Sequence, residues 1–232
     1  MLLSSLRVKR IVINRRRLLR RTLVLVLLWT TVWFGLPWLM PLPPALLDSP
    51  HPSPTILDRH GEVIEHLTLP DFTRSAPVSL SEIPADFINC TLAAEDKRFF
   101  KHGGVDLLAT ARAVADALTH RRVASGASTI TQQLIKISSP PRSRNLFTKL
   151  REALAARHLE MIWSKQRILE AYLNRLNYGS LRLGPAEAAR WYFQKPMTDL
   201  SLAESALLAG LPQAPTRPNP LSHPAAAIAR RN

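Results

Sequence analysis

Residues 81–104 read SEIPADFINCTLAAEDKRFFKHGG. Pro84 suits a first helical turn, where its missing N–H costs nothing. Phe87, Ile88, Leu92 and Phe99 then recur at helical spacing up to His102-Gly103-Gly104, which predicts one helix over that span. Its polar end is unusual: Glu95 and Asp96 are adjacent, and a His-Gly-Gly turn follows. On a helix Glu95 and Phe99 share a face while Asp96 points about 100° away. The two carboxylates would then have separate roles rather than forming a dyad. The bland alternative is a solvated, acid-rich helix end.

Outward from this stretch the pattern stays helical. Asp106–His120 carries Leu107, Leu108, Ala111, Val114, Ala115 and Leu118 at helical spacing. Arg121–Ala127 reads as a loop. Helical pieces are expected at 129–137 and, after Pro140-Pro141, at about 145–163. Ser164 caps another ending near Leu176, and Ser201 with Glu204 forms a capping box for a last helix closed by Gly210 and Pro212. Before all of these, Ile56–Ile64 reads as a small hairpin around Gly61. No repeat and no alternating strand series appears, so the fold class is mainly α with a small β-hairpin.

Charge is concentrated at one end. The 232 residues carry 31 Lys and Arg against 17 Asp and Glu, a formal net charge of +14. Eight of the cations precede residue 22, with no acid among them, leaving 23 against 17 for the rest. The excess is therefore a local basic tail, which argues against a nucleic-acid binder. A hydrophobic content of 46% excludes a disordered chain. The single cysteine, Cys90, excludes an internal disulfide framework and a cysteine-built zinc site.

Residues 23–40, LVLVLLWTTVWFGLPWLM, hold no charge. A bilayer core needs roughly 20 apolar residues of helix. Arginines stop at Arg21 on one side only, so the positive-inside rule puts the N-terminus in the cytoplasm and the rest outside. A cleaved signal peptide and a buried soluble helix are the weaker readings. Seven prolines between Pro37 and Pro54 then predict a stiff, extended spacer. The expected organisation is a basic cytoplasmic tail (1–21), a transmembrane helix (22–40), a Pro-rich linker (41–54), a folded domain (55–222) and a C-terminal tail (223–232).

Two further stretches carry candidate chemistry. Gly126–Lys136, GASTITQQLIK, opens a helix with hydroxyls and amides, a ready anion or sugar site. N-capping by Ser128 or Thr129 is the bland account, and it leaves Gln132, Gln133 and Lys136 unexplained. In Arg144–Glu160, Lys149 and Glu152 are three apart, which an ordinary helical ion pair also explains.

Taken together these stretches resemble the ordered motifs of the family 51 glycosyltransferases. The first is Glu95-Asp96-x-x-Phe99-x-x-His102-x-Gly104, and the second Gly126-x-Ser128-Thr129-Ile130-Thr131-Gln132-Gln133. Arg144-x-x-x-x-Lys149-x-x-Glu152 resembles the third. Ser164-Lys165-x-x-Ile168-Leu169-Glu170-x-Tyr172-Leu173-Asn174 resembles the fourth, and Gly184-x-x-x-Ala188-Ala189-x-x-Tyr192-Phe193-x-Lys195 the fifth. The likeness spans about 55 to 220 and is strongest to class A penicillin-binding proteins of the 1C type. Three positions depart from the family pattern: Ala127, Thr148 and Gln194.

The resemblance implies a lysozyme-like helical domain. It also implies polymerisation of lipid II onto a growing glycan chain, forming β-1,4 linkages with release of a lipid diphosphate. Glu95 matches the general base and Glu152 a second essential carboxylate. Asp96, Ser128, Gln133, Lys136, Arg144 and Lys149 match substrate-contacting or supporting positions. A divalent cation, magnesium or manganese, bridging the diphosphate is consistent with the resemblance; no residue is assigned as a metal ligand. The implied surroundings are the outer face of the cytoplasmic membrane and the bilayer itself; nothing after residue 220 holds a Lys-Thr-Gly or Ser-x-Asn motif, so a monofunctional enzyme, a split gene product with a separate transpeptidase and a truncated longer chain all stay open. Two uses of 105–118 stay open, dipping into the bilayer and ordinary core packing. The competing functions are a catalytically impaired, membrane-anchored remnant that binds lipid II or acts as a scaffold, and a lysozyme-like hydrolase.

Overall fold

The computed structural model describes residues 15–120 and 128–212, with Ala225 and Ala229. The chain divides into two compact units, residues 1–39 and 40–232. In the first, helix α1 (Arg15–Thr30) continues through a π turn (Thr31–Gly35) and a 3-10 turn (Leu36–Leu39). Arg16–Leu39 forms one run of 24 residues, long and apolar enough to cross a membrane. Trp29 and Trp33 stack along it at 6.1 Å.

The second unit is mainly helical. Strands β1 (Thr55–Leu57) and β2 (Val63–His66) pair antiparallel. The turn between them is closed by the Asp58 carboxylate, which accepts from the His60 and Glu62 backbone N–H groups, with Gly61 at φ 86°. Two residues of β3 (Arg74–Ser75) pair in parallel with β4 (Arg182–Leu183). The helices are α2 (Ala85–Glu95), α3 (Leu107–His120), α4 (Ile130–Ile137), α5 (Leu146–Ile162), α6 (Lys165–Arg175), α7 (Pro185–Phe193) and α8 (Leu202–Gly210).

Helix α4 sits at the centre, packed on α5 and α6, while α2 packs on α8. Ile130, Thr131, Leu134 and Ile135 of α4 are all buried. Ile130, Leu134 and Ile135 meet Ala155, Ala156 and Leu159 of α5 and Ile168, Leu169, Tyr172 and Leu173 of α6 in one core. Each fully buried Leu or Ile contributes about 1.5–3 kcal/mol, enough to hold so short a helix as α4, which would not persist alone. Its N-terminus is closed by a capping box: Thr129 Oγ1 accepts from the Gln132 N–H, and Gln132 Oε1 accepts from the Thr129 N–H.

Several sequence expectations change. The helix expected to run to His102 ends at Glu95; Asp96 leaves the helical region, with φ −159° and ψ 80°. Long-range partners draw its carboxylate away, as described below. Helix α7 and the β3–β4 pair were not expected. The stretch expected to be an extended spacer lies against the helices of the second unit instead: Leu46 is buried in its core, with Met40 and Leu42 packed beside it. His158 Nδ1 bonds the Met40 carbonyl oxygen, and Arg175 donates to the carbonyls of Ala45, Leu46 and Asp48. Gln194, one of the departures from the family pattern, is left-handed at φ 54° where α7 ends. Glycine is favoured there because an L side chain costs roughly 1–2 kcal/mol in that region. Gly126, Ala127, the 121–127 loop, Pro212's successors to residue 222 and most of the C-terminal tail lie outside the described residues.

Candidate active site

Glu95 is the last residue of α2 and lies on the same face as Phe87 and Thr91, both buried. The core face of the helix therefore ends in a carboxylate. Gln133 Nε2 donates to Glu95 Oε2 at 2.8 Å. Glu95 Oε1 is also buried and has no hydrogen-bond partner among the described residues. A buried carboxylate oxygen without a donor is costly, and it is the group best placed to take a proton from something that enters. Behind it, the Tyr172 hydroxyl donates to Gln133 Oε1 at 3.1 Å. Burial, then the nearby Glu95, pushes the Tyr172 phenol far above its ordinary pKa, so it stays a donor. Tyr178, buried beside Phe87, is pushed up by the same two causes.

Asp96 is 8% exposed and turned inward. His102 Nε2 lies 3.1 and 3.0 Å from its two oxygens, and the Ile130 backbone N–H donates to Oδ2 at 3.1 Å. It is thus the clamp between the end of α2 and the start of α4. The resemblance put it among the substrate-contacting or supporting positions; the structure engages both of its oxygens with the protein. Gly104 completes the join. Its carbonyl accepts from Thr129 Oγ1 at 2.7 Å, its φ is +91°, and a Cβ there would lie 2.7 Å from the Ala156 carbonyl oxygen. The backbone of the His-Gly-Gly turn therefore lies flat on α5, which only glycine permits.

Ser128, Lys149 and Glu152 form a second cluster. Lys149 Nζ donates to Ser128 Oγ and lies 3.7 Å from Glu152 Oε2. Ser128 links the clusters, because it lines with Glu95 one cleft of about 380 Å³ that also includes Arg98, Asp106 and Arg112. A larger hollow of about 530 Å³ lies beside Arg190 and Met197 and holds none of the expected site residues. Lys136 and Arg144 are exposed and make no ion pair among the described residues. Thr148 is half-buried, and its N–H is used in capping α5 by Asn145.

Some contributors carried no sequence expectation. Glu160 accepts from Thr131 Oγ1 at 2.6 Å and from Lys165 Nζ at 2.7 Å, while Lys165 sits 4.1 Å over the Phe99 ring. This ties α4, α5, α6 and the Glu95 segment together. In sequence Glu160 looks like any helical acid. Tyr172 and His102 stood inside quoted motifs, but nothing local gave them a role. Gln132, which side-chain capping by Ser128 or Thr129 alone leaves unexplained, is explained by its reciprocal capping box with Thr129. Among the described residues, no group of three or more His, Cys, Asp or Glu gathers as a metal site.

Comparison with known proteins agrees with the ordered motifs. Residues 60–232 match the family model described as Transglycosylase. Penicillin-binding protein 1A of Pseudomonas aeruginosa is 42% identical over 159 residues, covering 68% of this chain and 19% of its own. Penicillin-binding protein 1A of Vibrio cholerae is 35% identical over 225 residues, covering 94% of this chain and 26% of its own. The crystal structure of penicillin-binding protein 1A from Haemophilus influenzae is 25% identical with a TM-score of 0.43, covering 79% of this chain and 18% of that one. The chain thus spans about a quarter or less of these relatives' lengths. All three carry the 1A name, where the motifs suggested the 1C type.

Proposed function

Because this chain belongs to the transglycosylase family, we propose that it is a peptidoglycan glycosyltransferase that polymerises lipid II into β-1,4 glycan strands and releases lipid diphosphate. The observation that carries this reading is Glu95: a carboxylate at a cleft, one oxygen held by Gln133 and the other buried without a partner. A sugar 4-hydroxyl is a poor nucleophile at neutral pH. It needs a base within hydrogen-bond reach to take its proton as the glycosidic bond forms, and Glu95 Oε1 fills that role. The bond to the diphosphate breaks as the new bond forms, with inversion at the anomeric carbon. One displacement suffices, and no covalent enzyme intermediate is needed, unlike the retaining hydrolases.

The departing diphosphate gathers negative charge, which fixed cations stabilise. Lys149, held by Ser128 and Glu152, is the preorganised cation; Lys136 and Arg144 are exposed and reach lipid II only when it is bound. A divalent cation remains part of the proposal, as magnesium or manganese. Such ions commonly take one or two carboxylates together with substrate phosphates, and Glu152 supplies one. When bound, the ion would neutralise charge on the diphosphate.

The growing glycan chain is the donor and lipid II the acceptor. Both arrive from the bilayer, which the 24-residue apolar run would span with its basic end in the cytoplasm and the catalytic unit on the outer, periplasmic face. Leu107, Leu108 and Val114 of α3 are 53%, 58% and 54% exposed. That exposure favours the bilayer over core packing for this helix. A transpeptidase, on this or another chain, would cross-link the product.

The test is incubation of the purified full-length chain in detergent with labelled lipid II. Glycan polymer is the expected product. Lipid II bound but unpolymerised would favour the impaired remnant, and shortening of preformed polymer would favour a hydrolase.

A further inference from the structure

We propose that Tyr172 is a positioning residue for the base: by donating to Gln133 it fixes which end of that amide faces Glu95. The inference rests on the glycosyltransferase reading.

A glutamine amide presents an oxygen on one side and an NH₂ on the other, and the two ends are nearly identical in shape. Next to a carboxylate only one orientation is favourable. The NH₂ donates to Glu95 Oε2 at 2.8 Å; reversed, two acceptor oxygens would meet at that distance. Something must therefore hold the amide, and its other end is 3.1 Å from the Tyr172 hydroxyl. Burial keeps the Tyr172 phenol neutral, so it retains the O–H that donates to the Gln133 oxygen. The ring is fully buried, with Ile168, Leu169 and Leu173 of the same helix beside it in the core. The hydroxyl is thus fixed by the packing of α6, and three elements align in series: α6 sets α4, and α4 sets the end of α2. Among the described residues, Gln133 is the donor given to Glu95, whose other oxygen has none. Loss of that orientation leaves the base without a fixed rotamer in the ground state and without its hydrogen bond.

The experiment is a kinetic cycle on the full-length protein in detergent, with labelled lipid II, using wild type, Tyr172→Phe, Gln133→Ala and the double variant. A hydrogen bond between neutral groups corresponds to about a twofold to tenfold effect. Tyr172→Phe should therefore lower kcat about fivefold and leave KM within about twofold. In the Gln133→Ala background the same change should cost nothing further. Full multiplication of the two losses, or a Tyr172→Phe kcat within twofold of wild type, would overturn the proposal. So would a Gln133→Ala defect confined to KM, a readout that stands even if Tyr172→Phe does not fold. Failure of the wild-type protein to make polymer would sink the glycosyltransferase reading instead.

Discussion

Asp96→Ala separates a clamp from a substrate contact. The carboxylate holds two buried donors, the His102 imidazole and the Ile130 backbone N–H. Removing it leaves both without a partner, at about 1–3 kcal/mol each. The combined loss of about 4 kcal/mol is a large share of a stability of roughly 5–15 kcal/mol. For a unit of this size each kcal/mol moves Tm by about 2–4 °C, so a drop of about 10 °C is expected. Because Ile130 opens α4, the loss also loosens Gln133 and Thr129 relative to Glu95. Turnover should therefore fall while KM for lipid II changes little. Thermal melts in detergent read the first effect, and initial rates of polymer formation against lipid II concentration read the second. Asp96→Asn, which keeps size and one acceptor oxygen, should lie between. An unchanged Tm together with a raised KM would refute the clamp and return Asp96 to the substrate contacts.

Leu46→Ala should lower Tm by at least about 5 °C, since a buried Leu→Ala change costs about 2–5 kcal/mol; a shift under one degree would mean that residues 41–54 act as a free spacer. Lys149→Met should cut the polymerisation rate by about 10²-fold, with little change in melting, because a half-exposed ion pair contributes little to stability; an unchanged rate would remove Lys149 from the diphosphate's path. Hydrogen bonds from Lys195 and then Ser201 pull the Glu204 carboxyl from 4.5 down to about 2. A depressed carboxylate stabilises the fold above its unfolded pKa and loses that effect as pH falls from about 4.5 to about 2. Glu204→Gln should flatten the melting curve against pH over that window, and an unaltered slope there would contradict the assignment.

The helices were legible where local chemistry sets their ends. Ser164, Ser201 with Glu204, and Thr129 all cap as their spacing implies, because capping involves residues three apart. Helix α7 carries local signals as well: Gly184, Pro185 at the first position and Glu187 in the first turn are all start signals. The end of α2 was not legible. Periodicity through Phe99 continues past Glu95, but Asp96 answers to His102 and to the start of α4, partners that no local window contains. The β3–β4 pair is two residues long and joins distant segments, so no alternation exists to detect. Prolines made residues 41–54 look like a spacer, yet the apolar Leu42 and Leu46 between them find a core.

The site divides in the same way. Residue types and motif order were enough to nominate Glu95, Gln133, Ser128, Lys149 and Glu152, which the fold brings into two adjoining clusters. Hydrogen-bond direction was not legible. It decides that Gln132 caps while its neighbour Gln133 reaches Glu95, and that Asp96 has both oxygens engaged while its neighbour Glu95, lining the same cleft, keeps one without a partner. Adjacent residues diverge here because the helix starts or stops between them.

The central claim is that Glu95 takes the proton from the attacking hydroxyl. Glu95→Gln keeps the side chain's size and can still accept from Gln133, but it is no base. Lipid II polymerisation by the full-length variant should fall by about 10²–10⁴-fold, with lipid II binding and Tm retained. Turnover within a few-fold of wild type would contradict the account.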